Sequence, residues 1–297
     1  MKTFSNKVKR NEIISAYIFL APWLIGFVAF LAGPMLGGIT LSFFEWNGIS
    51  NIQYNGLQNY FKAFSDPDFW KSLLVTFSFV FTALPLRVII ALALALLVVR
   101  IKSFQNVISS IIYIPAVIPS VALALLFAQI LNPHAGMINE LLYFLGIEGP
   151  EWLFSEEWAL PSLVLMFIWQ SGSAMILYII GLATIPKELL EASTIDGAGA
   201  WRKLISIKIP LLTPIILFNL IVGVINNFQY FDQVYVLTQG GPNKATLFYV
   251  FNIYRTAFEY FELGYASALA VILSILLAIL TFMLLKSSKT WVFYQGG

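Results

Sequence analysis

The sequence predicts an all-α polytopic membrane protein with six transmembrane helices. Of its 297 residues, 59% are hydrophobic and only 11% are charged, whereas a soluble domain carries roughly 25% charged residues. Several apolar runs exceed about 18 residues, the length that a helix needs to cross a bilayer. Lysine and arginine are distributed unevenly among the polar segments between these runs. Together these three observations indicate a helical bundle embedded in a membrane.

The composition also excludes several kinds of site. The chain has no cysteine and a single histidine, His134. Disulfides, thiolate metal sites, cysteine nucleophiles and histidine-cluster metal sites are therefore excluded. We expect no catalytic residues, no metal and no cofactor in this chain, since no nucleophile–base pair or metal set can be assembled. The net charge of +2 is distributed by membrane side and gives no reason to expect nucleic acid as a partner.

The apolar runs give the positions of the spans. We expect them at about residues 13–44, 69–99, 107–131, 158–182, 211–237 and 264–285. The first run is longer than the apolar core of a cleaved signal peptide, so we expect an uncleaved helix kinked at Pro22 and Pro34. Pro115 and Pro119 interrupt the third run. The expected organisation is an N-terminal segment (1–12), a six-helix transmembrane domain (13–286) and a tail (287–297).

The distribution of basic residues predicts the orientation. Six spans place both termini on one side of the membrane, and cytoplasmic segments carry an excess of lysine and arginine. With the N-terminus inside, twelve basic residues fall on the cytoplasmic side and four outside. The outer four are Lys62, Lys71, Lys244 and Arg255. The basic residues therefore predict that both termini and the 186–209 loop are cytoplasmic.

The loop between the fourth and fifth spans, residues 186–209, is charged yet patterned. It contains seven ionised groups: Lys187, Glu188, Glu191, Asp196, Arg202, Lys203 and Lys208. Such groups are costly in hydrocarbon, so the loop must lie outside the bilayer. Residues 187–195 are expected to form a helix, Asp196-Gly197 a turn, and residues 198–207 a second helix. A helix–turn–helix connector is expected to dock on another protein.

This loop resembles the EAA loop of permease subunits in bacterial ABC importers. The matching residues are Glu191-Ala192-Ser193, then Asp196-Gly197-Ala198, then Ile209-Pro210. Ser193 replaces a second alanine, and Leu204 stands where an aromatic residue is common. Residues 17–48, 56–70, 111–139 and 264–266 resemble the carbohydrate-importer branch. The LTQGGP element at 237–242 is similar to subunits of the MalF or UgpA kind, so the resemblance extends over nearly the whole chain.

The resemblance implies a type I ABC importer permease fold (MetI-like), a location in the bacterial cytoplasmic membrane and a set of partners. These are a second, MalG-like permease that completes a heterodimeric pore, two cytoplasmic ATPase subunits, an extracytoplasmic solute-binding protein and a carbohydrate substrate. ATP and Mg²⁺ would be bound by the ATPase subunits, in agreement with the lack of a GxxxxGK[ST] phosphate loop here. The coupling residues implied are Glu188, Glu191, Ala192, Asp196, Gly197, Ala198, Trp201 and Arg202. The alternative is an amphipathic loop that only lies at the membrane interface.

Two polar stretches within spans are candidates for a solute pathway, because polar side chains there are costly unless they face a cavity. They are Trp169–Ser173 on the fourth span and Asn226–Tyr230 on the fifth. The resemblance to the maltose transporter implies substrate contacts at Trp169, Gln170, Ser173, Asn226, Asn227 and Tyr230. The residue types differ, so maltose itself is not implied. The alternative is that these side chains bond helices together.

Two charged residues within spans allow further alternatives. Arg87 on the second span and Asp232 near the outer end of the fifth could serve a proton or ion relay. Arg87 could equally pair with a carbonyl group or with a partner chain. A stand-alone secondary transporter is one rival function. Another is an ABC importer for a solute such as glycerol phosphate, which would require cationic groups along the pathway, of which Arg87 is the only one visible.

Overall fold

The described part of the chain is dominated by helices that match the apolar runs. The structure, a computed structural model, describes residues 2–49 and 51–293. Four helical stretches are long and apolar enough to cross a membrane: Ser15–Leu41, Pro67–Arg100, Ala200–Leu237 and Leu263–Trp291. Two further pairs qualify as one bent span each: Gln105–Val117 with Ser120–Ile130 and Glu156–Trp169 with Gly172–Ala183. The prediction of six spans is confirmed.

The helices and strands follow in chain order. The α-helices are α1 (Lys2–Phe27), α2 (Gly33–Leu41), α3 (Gln58–Ser65), α4 (Pro67–Arg100), α5 (Gln105–Val117), α6 (Ser120–Ile130), α7 (Met137–Phe144), α8 (Glu156–Trp169), α9 (Gly172–Ala183), α10 (Lys187–Ile195), α11 (Ala200–Lys203), α12 (Ile209–Phe228), α13 (Asp232–Leu237), α14 (Tyr249–Tyr254) and α15 (Leu263–Trp291). Strands β1 (Phe44–Glu45) and β2 (Gln53–Tyr54) pair antiparallel. Wider π-helical turns occupy Val28–Ala32, Leu204–Lys208 and Arg255–Glu259, and 3₁₀ turns occupy Lys102–Phe104 and Trp152–Phe154.

The boundaries of the predicted terminal segments are not marked by breaks in the helices. Helix α1 begins at Lys2 and continues into the first span, and α15 extends to Trp291, beyond the predicted end of the sixth span. Residues 294–297 of the predicted tail, and Met1 of the predicted N-terminal segment, lie outside the described residues. The backbone amide of Phe293 donates to Thr213 Oγ1 at 2.9 Å.

The chain divides into two units. One comprises the residues up to Ser65 together with Ile253–Ile272. Within it, the buried Asn59 amide donates to the carbonyl oxygens of Ser42 and Phe44, each at 2.9 Å. A Cβ on Gly264 would lie 1.9 Å from the Phe44 oxygen, so only glycine fits there. These contacts hold the loop after α2 in place.

The second unit comprises Asp66–Asn252 and the described residues from Leu273 onward. Its core forms where α4 packs against α9 and α12, which also contact each other. Ala91 and Ala95 lie one turn apart on α4 and are fully buried against Met175 and Tyr178 of α9. Small side chains at this spacing allow two helix backbones to approach closely. This three-helix contact positions the polar site described below.

Two spans in this unit are broken, and the residues at each break account for it. Ile118 is extended (φ −66°, ψ 129°) before Pro119, as expected because a proline disfavours helical geometry in the residue before it. The two halves of this span bend by 97°. Helix α6 then packs on α13, and the Ser120 hydroxyl donates to the Asp232 carboxylate.

Candidate functional site

The loop at 186–209 has the helix–turn–helix form that the sequence predicts. Helix α10 begins directly after Pro186 and ends at Ile195. Gly197 has φ +75°, its amide donates to Thr194 O, and the Ala198 amide donates to Ser193 O. This pair of bonds around a left-handed glycine is the Schellman termination of a helix. The turn is therefore fixed by its backbone.

The second arm of the loop starts later than predicted and does not stop at the loop's end. The prediction that it begins at residue 198 is wrong by two residues, because Gly199 is extended (ψ 170°) and α11 starts at Ala200. A π-helical turn carries α11 into α12 without a break. The Lys203 ammonium donates to Thr194 Oγ1 at 2.7 Å and ties the two arms together. The loop is a rigid element between α9 and α12.

Most of the predicted coupling residues lie on the surface of the loop. Exposed are Glu188, Glu191, Ala192, Asp196, Gly197, Trp201 and Arg202, and Ala198 is half-buried. Among the described residues, none of the seven charged side chains of the loop forms an ion pair. Trp201 is 72% exposed and Ile195 is 88% exposed. Charged groups without counter-ions beside large exposed apolar groups are typical of a protein-binding surface.

Ile195 was missed in the sequence analysis, although a signal was present. It is an apolar residue at the last position of a short charged helix, directly before the turn, where a solvated loop would favour a polar residue. The sequence pattern alone does not specify which residues lie next to Ile195 on the loop surface. Because it is exposed, Ile195 is an additional apolar candidate beside the predicted coupling residues.

A second predicted region lies where the fourth span breaks. Helix α8 ends at Trp169 and α9 begins at Gly172. A Cβ on Gly172 would lie 2.3 Å from the Ile112 carbonyl oxygen, so the break is held against the backbone of α5. The Gln170 side chain donates to Pro115 O at 3.4 Å. This half of the predicted pathway, the break between α8 and α9, is therefore closely packed and has polar groups along one edge.

Arg87 lies at this edge. Its Nη2 donates to Ser173 Oγ at 2.9 Å and to Gln170 O at 3.3 Å. The guanidinium carbon is 4.6 Å from the centre of the Phe167 ring, a favourable cation–π distance. Arg87 Nε is buried and has no hydrogen-bond partner among the described residues. No carboxylate of the described chain pairs with Arg87.

A cavity of about 220 Å³ between α4, α9 and α12 brings part of the predicted pathway together. Its polar lining residues are Arg87, Ser173, Asn219 and Asn226. Ser173 and Asn226 were both predicted. Asn219 was missed, yet it precedes Asn226 by seven residues and so lies on the same helix face two turns earlier. That spacing could have found it.

The other predicted pathway residues do not line this cavity. Trp169 is 43% exposed and packs edge-on against Phe127, with ring centres 5.4 Å apart. Asn227 and Tyr230 are buried, and neither amide atom of Asn227 nor the Tyr230 hydroxyl has a hydrogen-bond partner among the described residues. The Tyr230 ring packs against Phe79 at 4.8 Å. Their contact with a solute stays a prediction.

A second cavity, of about 350 Å³, lies within the first unit. It is lined by Asn59, which holds the loop backbone, and by the ion pair Lys62–Glu262 at 2.5 Å. Lys62 Nζ is also 4.4 Å from the centre of the Tyr265 ring. These groups hold one another in place, and that structural role accounts for them.

Comparison with known proteins identifies the family. Residues 87–289 match the family described as "Binding-protein-dependent transport system inner membrane component". The chain belongs to this family. The matched region contains the cavity and the 186–209 loop, which supports the predicted resemblance to ABC importer permeases. Membership in a family of transport components also confirms that the chain is not an enzyme.

Individual relatives cover nearly the whole chain. The probable ABC transporter permease protein YesP of Bacillus subtilis is 36% identical over 97% of this chain and 94% of its own length. The trehalose/maltose transport system permease protein MalF of Thermococcus litoralis is 32% identical over 96% of this chain and 97% of its own length. A crystal structure of a bacterial alginate ABC transporter, in complex with an alginate pentasaccharide-bound periplasmic protein, has a TM-score of 0.82 at 22% identity, covering 96% of each chain. This likeness confirms the importer permease fold.

Proposed function

We propose that this chain is one permease subunit of an ATP-driven carbohydrate importer, forming half of an alternating-access pathway with a second, MalG-like permease. One observation carries the proposal. The two arms of the exposed 186–209 loop lead directly into α9 and α12, the helices that supply Ser173, Asn219 and Asn226 to the cavity. A partner that moves the loop would therefore move the cavity walls.

The coupling step follows from this connection. ATPase subunits on the cytoplasmic side bind the loop through its exposed charged residues, Trp201 and Ile195. When they close on ATP, the loop is displaced, and the continuous α11–α12 arm rotates with it as a rigid body. ATP and Mg²⁺ are bound by those subunits, since the sequence contains no phosphate loop.

The cavity suits a solute rich in hydroxyl groups. Ser173, Asn219 and Asn226 provide neutral donors and acceptors within the bundle. At about 220 Å³ the cavity is smaller than a typical ligand pocket of roughly 300 Å³ or more, as expected if a second permease supplies the opposite wall. The names of the relatives refer to trehalose/maltose and to alginate, which supports a carbohydrate as the transported class.

The orientation and the outer partner complete the proposal. The excess of basic residues supports a cytoplasmic location of the termini and the 186–209 loop in a bacterial cell. An extracytoplasmic solute-binding protein delivers the carbohydrate from the other side, in keeping with a binding-protein-dependent family. The family membership argues against a stand-alone secondary transporter.

The test is to tag this chain in its own membrane, solubilise it gently, and identify what co-purifies. We expect a second permease and an ATPase, with ATP hydrolysis in the eluate that rises when an oligosaccharide-loaded binding protein is added. The control is Glu191→Lys, which reverses an exposed charge on the loop and should release the ATPase while keeping the second permease. A lone polypeptide that moves solute into liposomes without ATP would contradict the proposal.

A further inference from the structure

We propose that the transported carbohydrate is an acidic saccharide, whose anionic group, such as a uronate carboxylate, pairs with Arg87 in the cavity between α4, α9 and α12. This inference rests on the function proposed above and adds the charge class of the solute. The feature that carries it is a guanidinium on the cavity wall for which the described residues provide only neutral partners.

The surroundings of Arg87 compensate its charge incompletely. A guanidinium stays protonated and has five donors, but the recorded acceptors are Gln170 O and Ser173 Oγ. The Phe167 ring adds a cation–π contact, while Nε has no hydrogen-bond partner in the part of the chain that the structure describes. Arg87 is only partly buried, yet a charge that is withdrawn from water without a counter-charge is unfavourable, and within a span it marks a functional position by default. An anion that arrives with the solute would supply the missing counter-charge.

A neutral sugar would not require this arrangement. Ser173, Asn219 and Asn226 already provide neutral hydrogen-bonding groups on the same cavity. A carboxylate gains more from a guanidinium than a hydroxyl does, because charge-assisted bonds are roughly twice as strong as neutral ones and can be bidentate. The combination of one cation with three neutral polar groups fits a sugar ring that bears one acidic substituent.

The test uses cells that carry the complete transporter, with this chain replaced by Arg87→Gln or Arg87→Lys. The probes are a mixed pool of labelled uronate oligosaccharides and the same pool after chemical reduction of its carboxylates to alcohols. We expect the parent chain to take up the acidic pool in preference to the reduced pool. Arg87→Gln should lower acidic uptake by about tenfold or more, since it removes a charge-assisted contact. It should lower uptake of the reduced pool much less, since that pool has no carboxylate to pair with the guanidinium, and Arg87→Lys should retain most acidic uptake.

Four results would overturn the inference. The parent chain could prefer the reduced pool or take up neither pool. Arg87→Gln could lower uptake of both pools equally, which would mean a structural role. It could release the second permease during purification, which would mean that Arg87 pairs with that subunit. In each case, ATPase that still co-purifies with the parent chain would leave the proposed function standing, whereas its absence would remove the proposed function itself.

Discussion

The 186–209 loop and the cavity beside Arg87 handle charge in opposite ways. In the loop, seven ionised groups lie next to exposed apolar side chains and form no ion pair with described residues. On the cavity wall, a single cation is surrounded by neutral hydrogen-bonding groups and an aromatic ring. Water can solvate the loop until a protein covers it, whereas the cavity must be solvated by its own walls or by its solute. This difference supports the proposal that the loop binds a partner protein and that the cavity binds a solute.

Two glycines show a further structural difference between the loop and the cavity region. Gly197 has open space around its missing Cβ and is required because φ is +75°. Gly172 has no room for a Cβ, which would lie 2.3 Å from a backbone oxygen of α5. The loop depends on the backbone conformation of Gly197, whereas the break between α8 and α9 depends on the small volume of Gly172. Substitutions should break the two regions by different mechanisms.

The largest effect is expected for Gly197→Pro. Proline fixes φ near −65°, which is incompatible with +75°, so the turn that ends α10 cannot form. We expect uptake to fall by about tenfold or more, with loss of ATPase from the purified complex, because a loop whose turn is lost cannot dock. The amount of chain in the membrane should not change, since the spans do not depend on this turn. The measurement is uptake together with quantitative co-purification.

The matched control for that variant is Gly199→Ala. Gly199 has φ −68° and open space around it, so alanine fits without strain. Normal uptake is expected. Full ATPase recruitment by Gly197→Pro would show that the turn is dispensable and that the loop is not the coupling element.

The next effect is on stability. In Gly172→Ala, the new Cβ would clash with Ile112 O and lie 2.8 Å from the Cα of Tyr113, so α5 and α9 must separate. Overpacking of this kind costs about 1–3 kcal/mol. We expect the detergent-solubilised chain to lose its monodisperse size-exclusion peak at a lower temperature than the parent chain. An unchanged transition would mean that the two helices are less tightly packed than the structure indicates.

The comparison also explains how far sequence could predict each region. Helix α10 was predicted from Lys187 to Ile195 and is found there, because proline at one end and a left-handed glycine at the other are local signals. Which residues line the pathway depends instead on which face of α12 meets α4 and α9. Consecutive residues point about 100° apart on a helix, so Asn226 lines the cavity while Asn227 is buried. The seven-residue spacing of Asn219 and Asn226 marks one common face of α12, but the sequence does not specify that this face, rather than the one with Asn227, meets α4 and α9.

The same substitution at two adjacent positions, Asn226→Val and Asn227→Val, tests which of the two side chains contacts the solute. Asn226→Val removes a polar group from the cavity and should lower uptake several-fold without changing thermal stability. Asn227→Val removes a buried amide that has no hydrogen-bond partner among the described residues and should stabilise the resting conformation by about 1 kcal/mol or more. Uptake assays and thermal size-exclusion profiles measure both. The reverse pattern would assign the solute contact to Asn227.

The smallest effect is expected for Tyr230→Phe. The hydroxyl of Tyr230 is buried and has no hydrogen-bond partner within residues 2–49 and 51–293, while its ring packs against Phe79, Phe167 and Phe248. Phenylalanine keeps the ring packing and removes the unsatisfied polar atom, so the stability should rise by at most about 1 kcal/mol. If Tyr230 contacts the solute in another conformation, uptake would instead fall while the stability of the resting chain stays the same or rises. Measuring both quantities on one preparation therefore separates a tyrosine that only fills space from one that the transport cycle exposes.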